Sequence, residues 1–288
     1  MFWSKPAPPA PPEKPKAKKP KVEEKPREEE AEEKEAKPAP PAPEDYWTLV
    51  CQPLMSLFFL TPLFLAYELG MMYTGTERKM TVQNGADSLL RGWLTEFGLD
   101  QPFLLPGIVA VILIIWQVAG RFRIQFRPSA FCGMAFESML FASFLVVVGQ
   151  LQDIAFQHYQ IPKTMAVGAA NSTLLWEKFV TFVGAGVYEE VLFRLCLLPV
   201  LYIVLRGLML PASFAAFAAI ILNSGAFAAA HYIGPGADPF TIFTCSFRAL
   251  AGLVFSALFM WRGFGVTVGC HTVYDLLVGI MLQARQTS

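Results

Sequence analysis

Gly186-Val187-Tyr188-Glu189-Glu190-Val191-Leu192-Phe193-Arg194 sets two adjacent carboxylates and a guanidinium inside an otherwise apolar stretch. A charged side chain at the centre of a bilayer costs about 3 kcal/mol or more. One glutamate is tolerable as an isolated defect. Two, with an arginine four residues after the second, make no sense as lipid-facing surface. Two further apolar segments carry His231 and His271, and Asp275 follows His271 by one helical turn. These groups neutralise one another only by converging on a common interior. The fold expected is therefore all-α, a polytopic transmembrane helical bundle with its chemistry at membrane depth.

The distribution of charge supports this reading. The chain has 288 residues, of which 54% are hydrophobic and 16% charged. Residues 1–45 alone hold 10 Lys or Arg and 11 Asp or Glu, close to half of all the formal charges. The remainder is correspondingly apolar and contains several stretches near the length of about 20 residues that crosses a bilayer. The zero net charge is a cancellation and points to no partner. No basic stripe survives outside the mixed-sign tail, so nucleic acid is not expected as a partner. The five cysteines, Cys51, Cys132, Cys196, Cys245 and Cys270, form no pair at metal-ligand spacing and read as small buried hydrophobes. Met1-Phe2-Trp3-Ser4-Lys5 runs straight into prolines with no apolar signal segment.

Residues 1–45, rich in Pro, Ala, Lys and Glu, cannot bury enough apolar surface to offset chain entropy and are expected to be a disordered tail, a tether or the docking segment for an unknown partner. Apolar spans are expected at about 46–73, beginning with an interfacial Tyr46-Trp47 pair, and at 103–119, 131–150, 173–207, 212–231, 240–261 and 264–283. The stretch 173–207 is expected to be interrupted near Pro199, giving seven to eight helices. Residues 74–101 read as a loop with a short surface helix, and 151–172 as a loop containing His158. Arg121, Arg123 and Arg127 argue for a cytoplasmic side there and hence for a cytoplasmic tail, in a multi-pass protein of the cell membrane if the source is prokaryotic.

A carboxylate in an apolar cleft holds a proton more readily than in water and is a competent general base. Glu189 and Glu190 lie about 100° apart around a helix, so they cannot share one direction. Glu189 is assigned to the site and Glu190 to a pair with Arg194, which stands at i+4; a purely structural ion-pair network of the three is the competing reading. Two histidines with such carboxylates either bind a divalent ion such as zinc, through Glu189, His231, His271 and Asp275, or activate a bare water. Asp275 would hold an imidazole in one tautomer, or donate to an oxyanion when protonated. Arg248 is the remaining charge expected to look into the bundle, as a counter-charge or substrate contact. With straight helices, His231 falls near one membrane face and His271 toward the other, so either a helix is broken or the span ends lie several residues from these bounds.

The pattern Glu189-Glu190 with Arg194, Phe227 with His231, and His271 with Asp275 resembles the CAAX-protease and bacteriocin-processing family of intramembrane endopeptidases, also called CPBP or ABI. The likeness covers roughly residues 170–284. It implies peptide-bond hydrolysis inside the bilayer, with Glu189 and His231 activating water and His271 with Asp275 stabilising the oxyanion. The chain is thus expected to comprise the tail at 1–45, accessory transmembrane helices at 46–169 and, where the likeness lies, a catalytic core at 170–288; the likeness makes a membrane-associated protein or peptide the substrate. Aspartate at 275 departs from the asparagine common in the family and donates a hydrogen bond only when protonated. The competing functions are a non-catalytic scaffold or bacteriocin-immunity-type member and a proton-coupled transporter; the latter is disfavoured because no internal repeat pairs the two halves.

Overall fold

The computed structural model describes residues 45–74, 82–159, 175–234 and 237–287, with side chains as far as residue 279. The tail, apart from Asp45, and residues 160–172 of the expected second loop lie outside the described residues. Every regular element described is helical: α1 (Tyr46–Val50), α2 (Pro53–Thr74), α3 (Gly85–Glu96), α4 (Leu104–Ala119), α5 (Pro128–His158), α6 (Leu175–Glu190), a π-helical turn (Val191–Leu197), α7 (Leu198–Gly207), α8 (Ala212–Ala230) and α9 (Ile242–Thr287). Among the described residues, four helices are long and apolar enough to cross a membrane: α2, α5, α8 and α9 as far as Gly279. The apolar α4 is shorter, at 16 residues.

The polarity of the bundle is inverted relative to a water-soluble protein. Val111, Ile114, Ile115 and Val118 of α4 and Phe136, Met139, Leu140 and Phe144 of α5 are exposed, whereas Glu68, Asp87, Glu137, Glu190, Arg194 and His271 are buried. An outer surface of this kind is stable only against lipid, and the interior polar groups must then satisfy one another.

Several boundaries differ from those expected. The first span is two helices, because Pro53 opens α2 and leaves Cys51-Gln52 as a joint. The third runs on to residue 158, so His158 ends α5 instead of lying in a loop, with its ring against Tyr159. Of the cysteines, only Cys270 is buried, and Cys132 is exposed. The stretch from Leu175 to Gly207 is not interrupted at Pro199. A proline inside a helix donates no N–H and crowds the carbonyl four residues back. The preceding turn, Val191–Leu197, widens to i→i+5 bonding and absorbs that misfit, so the chain stays helical throughout.

The chain reverses inside α9, at the gap between the spans expected at 240–261 and 264–283. Phe255 and His271 stack at 4.5 Å, although 16 residues of straight helix would separate them by about 24 Å. The chain folds back at Gly263, whose φ of 79° is forbidding to other residues. A side chain there would also strike the backbone of Cys51. Arg262 fixes the reversal: its Nε and Nη2 donate to Glu137 at 2.7 and 2.6 Å, and its guanidinium lies 4.3 Å from the centre of the Trp47 ring.

A second buried network ties α3 to the bundle beside the site. Tyr67 donates to Asp87 at 2.8 Å, Tyr188 donates to Glu68 at 2.7 Å, and Arg91 pairs with both Asp87 and Glu68. Burial opposes the charge on Arg91, but the two carboxylates outweigh it and hold the guanidinium above its usual range.

Candidate active site

Glu190 and Arg194 form the sealed floor. Both side chains are fully buried, and Arg194 Nη1 donates to Glu190 Oε1 at 3.0 Å. Nη2 donates to the Gly252 carbonyl at 3.2 Å. The guanidinium lies 4.5 Å from the Phe227 ring centre and 5.2 Å from that of Phe255. A fully buried cation is held here by one carboxylate, one carbonyl and aromatic faces. The Glu190–Arg194 pairing matches the expectation. Sequence reasoning missed the second bond of Glu190: the same Oε1 accepts from His271 Nδ1 at 2.8 Å.

Gly186 lets α6 approach α9 closely enough for that bond, because a β-carbon there would meet Thr272 backbone atoms at 2.7 Å. Gly252 does the same for α8, where its β-carbon would lie 3.0 Å from Ser224 Cα.

Above the floor, Glu189 faces both histidines. Its Oε2 stands 3.8 Å from His231 Nε2 and 3.8 Å from His271 Nε2. The partners set the tautomers. His231 Nδ1 lies 2.8 Å from the Phe227 carbonyl, which only accepts, so the proton is on Nδ1. The Glu190 carboxylate places a proton on His271 Nδ1 in the same way. Both Nε2 atoms therefore face Glu189 Oε2, which is buried and has no hydrogen-bond partner among the described residues. The side chains of Glu189, His231 and Asp275 are 15, 24 and 22% exposed, against 6% for His271 and none for Glu190, so the cleft opens on the Glu189 side.

Asp275 does not orient His271 from behind; Glu190 does that. Asp275 Oδ2 lies 3.6 Å from the forward nitrogen, Nε2. All six expected site residues thus meet through one chain of contacts. A tetrahedral zinc sets neighbouring ligand atoms about 3.4 Å apart. The distances here are longer, and among the described residues no three His, Cys, Asp or Glu side chains group around one ion position. Glu189, His231, His271 and Asp275 have the donor types for a divalent ion without its spacing.

Phe255 was not foreseen. Its ring stacks on His271 at 18° and underlies Arg194, so one aromatic face packs against both an imidazole and a guanidinium. Its signal in the sequence is only that of one apolar residue among many.

Residues 171–277 match the family described as Rce1-like, type II CAAX prenyl endopeptidase Rce1-like. The matched segment takes in α6, the π-helical turn, α7, α8 and α9 as far as Leu277, and with them all six residues of the site. The family it is similar to is one of proteases, and the apolar helices around it are those of an integral membrane protein. Comparison with curated proteins and with solved structures gave no match.

Proposed function

We propose that the protein is an intramembrane endopeptidase of the CAAX type, hydrolysing a peptide bond of a membrane-associated protein or peptide near its C-terminus. The observation that carries this reading is the convergence of His231 Nε2 and His271 Nε2 on Glu189 Oε2, each at 3.8 Å. An oxygen between them lies within hydrogen-bond reach of a carboxylate and an imidazole lone pair at once.

In the mechanism, Glu189 accepts a proton from that water, and His231 Nε2 accepts a hydrogen bond from it and aligns the developing hydroxide. General base catalysis of this kind contributes roughly 10²–10⁴-fold. The hydroxide adds to the scissile carbonyl. His271 Nε2 donates to the resulting oxyanion, which requires the imidazolium because Nδ1–H is committed to Glu190. Asp275, beside Nε2, supports that positive charge. As the tetrahedral species collapses, Glu189 returns its proton to the leaving amine. Arg194 holds Glu190, and through it His271, without touching substrate.

Residues 170–288 then form the catalytic core and 46–169 an accessory helical unit, with the tail on the cytoplasmic side. The test is cleavage of lipidated or transmembrane peptides by the protein purified in detergent. Glu189→Ala and His231→Ala abolish cleavage; unchanged cleavage overturns the assignment. Chelation and metal analysis in the same assay separate a metal-held water from a bare one.

A further inference from the structure

Arg248 takes no part in the proposed mechanism. It stands on the rim of the cleft. Phe247, its neighbour, stacks on Tyr274 at 5.7 Å, which sets Arg248 across from the start of the Tyr274-Asp275 turn. Its guanidinium lies 5.1 Å from the ring centre of Tyr232, the residue after His231. Tyr232 is itself fixed by a 2.8 Å hydrogen bond with Thr244. The group is thus held between the two arms that carry His231 and Asp275.

The pairing of Arg248 is incomplete. Nη2 forms an ion pair with Asp238, whereas Nη1 is buried and has no hydrogen-bond partner among the described residues. Asp238 comes from the rim loop after α8, and its backbone N–H donates to the His231 carbonyl at 2.9 Å. A guanidinium offers a two-pronged edge that matches a carboxylate, and the single contact from Asp238 uses only one prong. Both side chains keep some exposure, 18% for Arg248 and 17% for Asp238.

We infer that Arg248 recognises the C-terminal carboxylate of the substrate, taking it in exchange for Asp238, which occupies the guanidinium in the free protein. The inference rests on the protease reading above and gives it a reason to cut close to a free C-terminus. Arg248 is here a specificity residue that touches the substrate's end and takes no part in hydrolysis.

The experiment uses a lipidated, fluorescently labelled peptide made in two forms, with a free C-terminal carboxylate and as the carboxamide. Binding to the purified full-length protein in detergent is read by anisotropy, and cleavage is followed in parallel. The carboxylate form binds the wild-type protein roughly tenfold or more tightly than the amide, in line with a charge-assisted contact. Arg248→Gln lowers its affinity to that of the amide and leaves amide binding unchanged, and Arg248→Lys restores part of the preference. Asp238→Asn, which keeps the guanidinium and removes its competitor, tightens the carboxylate form alone. Equal binding of the two peptides by the wild type, or equal weakening of both by Arg248→Gln, overturns the inference. So does the lack of any gain in Asp238→Asn, which holds even if Arg248 variants fold poorly. Carboxylate-selective binding with no cleavage removes the protease reading and leaves this site standing; cleavage of both forms alike does the reverse.

Discussion

His271 Nδ1 and Glu190 Oε1 lie 2.8 Å apart, and that same oxygen also takes the Arg194 guanidinium at 3.0 Å. One carboxylate therefore aims an imidazole and neutralises a fully buried cation together. Glu190→Ala removes the carboxylate that Arg194 is paired with among the described residues, which costs about 3–5 kcal/mol. Thermal unfolding in detergent will show that loss. The fraction that remains folded will turn over substrate roughly 100-fold more slowly, because a displacement near 1 Å at a reacting group is enough for that.

Glu189→Gln has the opposite profile. Glu189 Oε2 has no hydrogen-bond partner among the described residues, so little stability depends on it. Peptide cleavage falls by roughly 10²–10⁴-fold, while the unfolding midpoint stays at or above that of the wild type. A variant that is both inactive and strongly destabilised contradicts this separation of roles.

Gly186→Ala and Gly225→Ala form a matched pair. A methyl at 186 meets the Thr272 backbone at 2.7 Å and must push α6 away from α9, whereas one at 225 meets nothing within 4 Å. The first costs roughly 1–3 kcal/mol and lowers activity by moving Glu190 off His271. The second gains about 0.5–1 kcal/mol from helix propensity alone and leaves activity intact. Unfolding midpoints of the two variants in one detergent check the contrast.

Tyr188→Phe removes the 2.7 Å hydrogen bond to Glu68 and leaves that carboxylate, among the described residues, with Arg91. The loss is about 1–3 kcal/mol. It is expected to loosen α3, so amide exchange across Gly85–Glu96 should accelerate more than exchange in α5.

The residues that announce the site were legible because they violate the rules of their surroundings. Glu189, Glu190, Arg194, His231, His271 and Asp275 are polar groups in apolar helices, and expense of that kind is visible without coordinates. The break at Gly263 was also readable, as a glycine between two spans. Division of labour within the acidic pair was readable only in part. Helix phase assigned Glu190 to Arg194, but no intrahelical spacing reveals that the same oxygen serves His271, 81 residues away. Asp275 was readable only as a neighbour of His271 for a related reason: an i,i+4 relation does not say which ring nitrogen it meets. The role of Phe255 depends wholly on packing between chain segments and leaves no local trace.

The widened turn at Val191–Leu197 makes the chain's length there a variable of its own. A π turn holds one residue more than the ordinary coil that would span the same ground. Deleting one residue inside it lets the turn close to ordinary α geometry over the same ground, so the edit is nearly neutral in both length and azimuth. The helix up to Glu190 keeps its place, and Leu198–Gly207 still presents the same side to α8. The surplus residue is slack in the chain, and it can be taken out while the acidic doublet and the helix beyond it both stay fixed.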